Sequence, residues 1–506
     1  MTGKGYLRYL LGVTSFGGIL YGLGGAAAMS ISLPYLKASC PQFTEQMLSP
    51  LVATCMAGAM AVSPLCGPLC EWIGRKRAML LAAVLFACGS PVLCLSGANY
   101  WVMMAGLALQ GVGMGLLGMA IPLYLAECLP PESRGKGTAF FQLVLIVGLF
   151  VSGLVGLAVA YLFGAADEQT VQAASQAFAA DPAGFVGEAR FFSAWHTIFW
   201  CEAIPALLLF AGVLFLRDSP RWLHRRGRRE EALAALAAVN GAAAAERALA
   251  EMVAADAQEA AERKANAAAP KDSLLQRKYV LPFALAVIVL ACTQTCGVNS
   301  ILGYSVTIFG EAGLTGTVVN WADTAFKLVM LAMTVAACVL VDRKGRTFLL
   351  KVGTGGIILS MAGAGFTFLA IGAGVCAKSP LTGWLVAGCL TVFVAAFAVG
   401  PGVCVWLALS ELMPTRIRAV GMGVALLVNQ LIAAGLQATL LPLRAKIGYG
   451  WLFLAFAAFT VVYFITVAFF MPETKGRTLE EIEAHFSRRG AAGAGERKGN
   501  KEVGDV

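Results

Sequence analysis

The chain has 506 residues, of which 58% are hydrophobic and 13% charged, and it carries a formal net charge of +9. A soluble domain carries about 25% charged residues, so too little polar sequence is present to cover a water-exposed surface, and a soluble globular protein is excluded. A nucleic-acid partner is excluded too, because the basic residues sit in short stretches between apolar runs, the pattern of a chain threaded through a bilayer.

Lys4 and Arg8 precede an apolar run over residues 10–33. It exceeds the ~20 residues that cross a membrane. No small-residue cleavage site follows, so it reads as a first membrane helix and not a signal peptide. Further apolar runs are centred near residues 58, 87, 113, 151, 207, 293, 329, 360, 395, 430 and 461. The count is twelve spans, an all-α integral membrane protein with both termini on one side. Of the 38 Lys and Arg, 32 lie in the segments on the termini's side and five in those opposite. The positive-inside rule makes the termini cytoplasmic, and the expected location is the plasma (inner) membrane. The fourteen cysteines are scattered, mostly within apolar runs, and read as packing residues. No metal or cofactor is expected.

Two polar segments interrupt the spans. Residues 164–195 form a loop on the outer side. Residues 217–278, with stretches such as Arg228-Arg229-Glu230-Glu231, predict short surface helices. The expected organisation is a six-helix half over 1–216, a cytoplasmic helical linker over 217–278, a second half over 279–470, and a tail over 471–506. The Gly/Lys/Glu-rich end of that tail is expected to be disordered.

The loops repeat. Gly74-Arg75-Lys76-Arg77 after span 2 is matched by Asp342-Arg343-Lys344-Gly345-Arg346 after span 8. Glu127, Pro130 and Arg134 after span 4 are matched by Glu411, Pro414 and Arg418 after span 10, with identical spacing. Arg217-Asp218-Ser219-Pro220-Arg221-Trp222 follows span 6, and Pro472-Glu473-Thr474-Lys475-Gly476 follows span 12. This is a six-plus-six duplication, which places a binding site at the interface of two halves near the bilayer midplane. Arg75, Glu127, Arg134, Arg346, Glu411 and Arg418 are candidate inner-gate charges, able to pair across the halves and bias two states a few kcal/mol apart.

Five loop signatures in order, over nearly the whole chain, resemble the sugar porter family of the major facilitator superfamily. That resemblance implies the major facilitator fold, a central cavity, and rocking of two halves around a midplane sugar.

Polar side chains inside a bilayer are costly and usually functional. Amides suit an uncharged polyhydroxyl ligand because each both donates and accepts. The spans supply Gln142, Gln294, Asn299, Asn429 and Gln430, with Trp406 as an aromatic face. Gln294 and Asn299 point about 140° apart on an ideal helix. A break at the intervening Gly297 would let both face a cavity, and Gly400-Pro401-Gly402 should break span 10. The resemblance implies the same positions: Gln142, Gln294, Asn299, Trp406 and Asn429 match sugar-binding positions of the family. Thr293 replaces the first member of a Gln pair, Gly303 replaces one of two tyrosines to leave Tyr304, Ala398 replaces a Glu, and Gln430 stands where many members have Trp.

Proton-coupled relatives carry an Asp in span 1 and an Arg in span 4; Gly24 and Leu107 stand there. Facilitated diffusion of a monosaccharide, hexose or pentose, is therefore the expected activity. Glu202, where the family's bacterial xylose–proton symporters also have Glu, keeps symport open, with protons as a second partner. So do Asp323 and Lys327, four apart and able to pair on one helix face. The rival of another class is a transporter-like sugar sensor. The three dispersed histidines support no enzyme.

Overall fold

In the computed structural model, residues 3–129, 134–182, 184–268, 277–413 and 418–473 are described. Span 1 is a pair of helices, Lys4–Leu23 and Ala26–Ser39. Spans 2 to 6 are Glu45–Ile73, Arg75–Cys94, Tyr100–Cys128, Arg134–Phe163 and Ala189–Leu214. Span 7 is Arg277–Thr295 with Val298–Ala312. Spans 8 and 9 are Thr317–Lys344 and Arg346–Gly372, and span 10 is Pro380–Val399 with Pro401–Leu412. One continuous stretch, Arg418–Ile465, is too long for a single crossing: 48 residues at 1.5 Å would run about 70 Å, against a ~30 Å hydrocarbon core. Gly448, at φ 77° and ψ 163°, divides it into spans 11 and 12. Twelve spans result, as expected.

Capping residues set several of these helices. Asn99 accepts from the backbone N–H groups of Trp101 and Val102 and starts span 4. Ser379 and Thr382 form a reciprocal capping box at span 10. The repeated loop motif also repeats in backbone. Gly74 after span 2 lies at φ 91°, ψ 156°, and Gly345 after span 8 at φ 87°, ψ 160°. That region admits glycine and little else.

One break was not expected. The apolar run 10–33 reads as a single helix, yet span 1 bends by 42° between its two pieces. Gly24 is extended and Gly25 sits at φ 63°, ψ −122°, which interrupts the helical hydrogen bonds there.

The polar segment after span 6 folds into helices Pro220–Arg225, Arg229–Asn240 and Ala242–Ala268. They enclose a small core of Trp222, Leu223, Ala232, Leu236 and Leu249. Gly3 N–H donates to the Ala238 carbonyl, so the chain's first residues and the linker share one end of the bundle, here the linker end.

The hydrophobic core is continuous at one end and divided at the other. At the far end, residues of both halves form one cluster, including Met29, Leu51, Ile146, Tyr304, Phe326 and Leu441. Toward the linker end it separates. Leu10, Met79, Tyr124 and Leu209 belong to a first-half cluster, which Ala434 of span 11 touches. Leu285, Leu350, Val405 and Tyr463 belong to a second-half cluster. Among the described residues, the core is shared by both halves at the far end and divided between them at the linker end.

Candidate functional site

Span 7 breaks where expected. Gly297 adopts a left-handed conformation (φ 87°, ψ 11°), and a Cβ there would lie 2.6 Å from the Phe456 ring. The break lets Asn299 Nδ2 donate to Gln294 Oε1 at 2.7 Å, so two amides that an intact helix would point apart meet. Gly400 interrupts span 10 at φ −100°, ψ −94°, packed so closely on span 9 that a Cβ would lie 2.8 Å from the Leu349 carbonyl oxygen.

The level of these amides is informative. On span 7, Cys292 belongs to the second-half core and Cys296 to the shared core. On span 5, Phe141 belongs to the first-half core and Ile146 to the shared one. On span 11, Ala425 lies in the second-half core and Leu440 in the shared one. Gln142, Gln294 and Asn429 therefore stand where the joined core gives way to two, and Asn299, just inside the shared core, is tied to that level by its bond to Gln294.

Gln142 and Gln430 are half-buried and make no hydrogen bond among the described residues. Asn429 is buried with its Oδ1 unpartnered. Thr293 is turned away from its neighbour Gln294: its hydroxyl donates to the Val289 carbonyl and meets the Tyr463 hydroxyl at 3.1 Å. The side chains of Trp406, Arg134, Glu411 and Arg418 lie outside the described residues.

Gln437 belongs with these residues although it was not singled out from sequence. It is an amide eight residues along span 11 from Asn429, fully buried, with Nε2 3.4 Å from the Asn299 carbonyl and Oε1 unpartnered. Its own carbonyl accepts from the Tyr304 hydroxyl at 3.1 Å and from Ser49 of span 2 at 3.3 Å. The signal for it was the same intramembrane amide that identified Asn429.

The embedded charges separate into two places. Glu202 is buried within the first half, where Gln110 Nε2 donates to its Oε2 at 2.6 Å and its Oε1 has no partner. Asp323 and Lys327 form an ion pair at 2.7 Å, both fully shielded. Lys327 is thus held inside the protein rather than reaching for the membrane surface.

At the linker end, Arg75 pairs with Glu127 at 2.8 Å and with Glu71 at 2.6 Å, and Glu127 also accepts from Ser219. Every one of these partners belongs to the first half or its linker. In the second half, Arg346 N–H and Thr347 N–H donate to the Glu473 carboxylate. Arg75 and Glu127 thus bond within their own half and its linker.

A family model described as "Sugar (and other) transporter" matches residues 12–486. The chain belongs to that family. It is a sugar porter of the major facilitator superfamily, a membrane transporter and not an enzyme. Among curated relatives, it is 29% identical to the putative metabolite transport protein YwtG of Bacillus subtilis, with 95% of each chain covered. It is 26% identical to the glucose transporter GlcP of Staphylococcus epidermidis, over 97% of this chain and 99% of that one. The major myo-inositol transporter IolT of Bacillus subtilis is 28% identical, over 99% and 98%. Among solved structures, the xylose transporter XylE of E. coli in a partially occluded inward-open conformation superposes with a TM-score of 0.74 at 23% identity, covering 94% of this chain and all of that one.

Proposed function

We propose that this protein carries a monosaccharide, hexose or pentose, across the plasma membrane by alternating access and facilitated diffusion, with both termini in the cytoplasm. The observation that carries the reading is the placement of uncharged amides from spans 5, 7 and 11 at the level where the shared core divides. A ligand there meets both halves, so it can report its presence to each. Unpartnered acceptors on Asn429 and Gln437 and the free amides of Gln142 and Gln430 suit hydroxyl groups. Relatives named for glucose and myo-inositol transport support the substrate class. The charge bias of the loops supports the orientation.

Uncoupled transport is favoured by Gly24 and Leu107, which leave no ionisable pair between spans 1 and 4. The buried Glu202, with one oxygen unpartnered, favours a second reading, proton symport. Uptake of a sugar panel into proteoliposomes, with and without a pH gradient, decides between them. Equilibrative uptake insensitive to protonophore is expected. Concentrative uptake driven by the gradient would replace facilitation by symport, and uptake of no sugar would sink both. Within that assay, Gln294→Ala and Asn299→Ala should each raise KM at least tenfold.

A further inference from the structure

The far-end closure contains a buried, charged seam between spans 1 and 5 of the first half and spans 7 and 8 of the second. Lys327 Nζ donates to Asp323 Oδ2 at 2.7 Å and to Ser152 Oγ of span 5 at 3.0 Å. Asp323 Oδ1 accepts from Ser305 of span 7 at 2.5 Å. Ser305 in turn shares a 3.0 Å hydrogen bond with Ser30 of span 1. Ser152 commits its own proton to the Leu149 carbonyl at 2.6 Å, which leaves its lone pairs for the ammonium. All five side chains are buried. Close approach of the spans makes the seam fit: a Cβ on Gly153 would lie 3.1 Å from Thr324 Cα, and one on Gly156 would lie 2.9 Å from Ile31.

Chain membership divides these bonds into two kinds. Asp323, Lys327 and Ser305 all belong to the second half and move together. Ser152 and Ser30 belong to the first. Separating the halves at this end therefore breaks two bonds, Lys327 to Ser152 and Ser305 to Ser30, and leaves the ion pair whole.

We propose that this seam is a latch that holds the far end of the carrier closed, with Ser152 and Ser30 as its release contacts and the Asp323–Lys327 pair as its fixed anchor. The idea rests on alternating access but not on which sugar is carried. The anchor is electrically neutral and stays on one helix, so release exchanges two serine contacts for water without moving a proton. A charged anchor with neutral release contacts gives a latch that opens reversibly. Had the ion pair itself spanned the halves, each cycle would have to separate a buried charge pair, which is strongly unfavourable.

The test uses the full chain in lipid nanodiscs, where both ends are open to reagent, with no sugar present. Asn320→Cys places a thiol at a buried position facing Gly156, and its reaction with a maleimide reports opening of the far end. The same protein lacking that substitution supplies the background from the native cysteines. Ser30→Ala removes a neutral bond and should speed labelling roughly threefold. Ser152→Ala removes a bond to an ammonium and should speed it roughly tenfold or more. The double variant should show the product of the two. Neither change replaces a member of the ion pair or leaves a cavity larger than one oxygen atom. A thiol at Gln142→Cys, toward the linker end, should not label faster in either variant. Unchanged labelling of Asn320→Cys in both serine variants would overturn the latch, and so would an equal acceleration at both thiols, which would mean general loosening. A protein that fails to carry sugar yet shows the predicted labelling would sink the transport reading and leave the latch standing.

Discussion

Two ion pairs are withdrawn from solvent among the described residues, and they lie at opposite ends of the bundle. Asp323–Lys327 is wedged between the halves at the joined end. Arg75–Glu127 is folded into the first half and its linker at the opposite, linker end. Both join a basic side chain to a carboxylate at similar separations, so distance does not distinguish them. Their partners do. Lys327 reaches span 5 of the other half, whereas Glu127 reaches Ser219 at the foot of its own linker. The first pair is positioned to influence how the halves sit. The second is positioned to hold the linker onto the first half, with Trp222 Nε1 donating to the Glu71 carbonyl at 2.8 Å beside it.

The largest expected effect comes from breaking the joined-end pair. Lys327→Met strands the buried Asp323 carboxylate and should cost about 3–5 kcal/mol, read as a fall in the thermal midpoint of the detergent-solubilised protein. Asp323→Leu with Lys327→Met removes both charges and should recover most of that loss, since apolar replacement of a whole buried pair is often neutral. No recovery would show that the pair stabilises the protein by more than mutual neutralisation. Next in size is Glu127→Gln, which weakens charge-assisted bonds to Arg75 and Ser219 and should cost about 1.5–3 kcal/mol. Its effect should be local. Proteolysis within residues 226–268 should quicken, while maleimide labelling of Asn320→Cys stays at the parent rate. If far-end labelling changed as well, the contrast between the two pairs would collapse.

Much of this arrangement was legible in the chain. Twelve spans follow from apolar length alone, and Gly297 and Gly400 broke their helices as their neighbours required. Gly24-Gly25 was not read as a break, because a membrane helix tolerates glycines and nothing local marks the positive φ of Gly25. The candidate amides stand out in the sequence because a carboxamide inside a bilayer is rare. Gln437 met the same test and was passed over. The serines of the seam were not legible at all. Serine is common in membrane helices and usually bonds back to its own backbone, as Ser15 and Ser63 do here, so Ser30 and Ser305 gain meaning only from what faces them. The repeated loop charges predicted bonds between halves. Arg75 and Glu127 bond within the first half here, and that does not decide the gate, because a sequence encodes every state of a carrier and a structure holds one.

Smaller effects are expected from the far-end surface charges. Arg444 of span 11 bonds Glu45 of span 2 at 2.6 Å and Glu311 of span 7, and stacks over Tyr449. These groups are about a quarter exposed, so Arg444→Gln should cost only about 1 kcal/mol. That corresponds to roughly fivefold faster labelling of Asn320→Cys. Raising salt toward 1 M shortens the screening length to about 3 Å and should bring the parent toward the variant. The Lys327 seam, being buried, should respond little to the same salt.

The smallest effect is expected at Lys378–Glu168, which joins the outer helix Glu168–Ala180 to the start of span 10 and so crosses between halves like the seam does. Topology alone would rank it with Lys327. Exposure ranks it far lower: both side chains are nearly two-fifths accessible, and such pairs stabilise by about 0–1 kcal/mol with salt reducing even that. Lys378→Ala should therefore leave both thermal midpoint and far-end labelling within error of the parent. An acceleration matching that of Ser152→Ala would mean that crossing between halves is sufficient for latching and that burial of Asp323 and Lys327 is incidental. No change would tie the latch to the dry seam, where the anchor's ammonium acts unscreened on Ser152 across the halves.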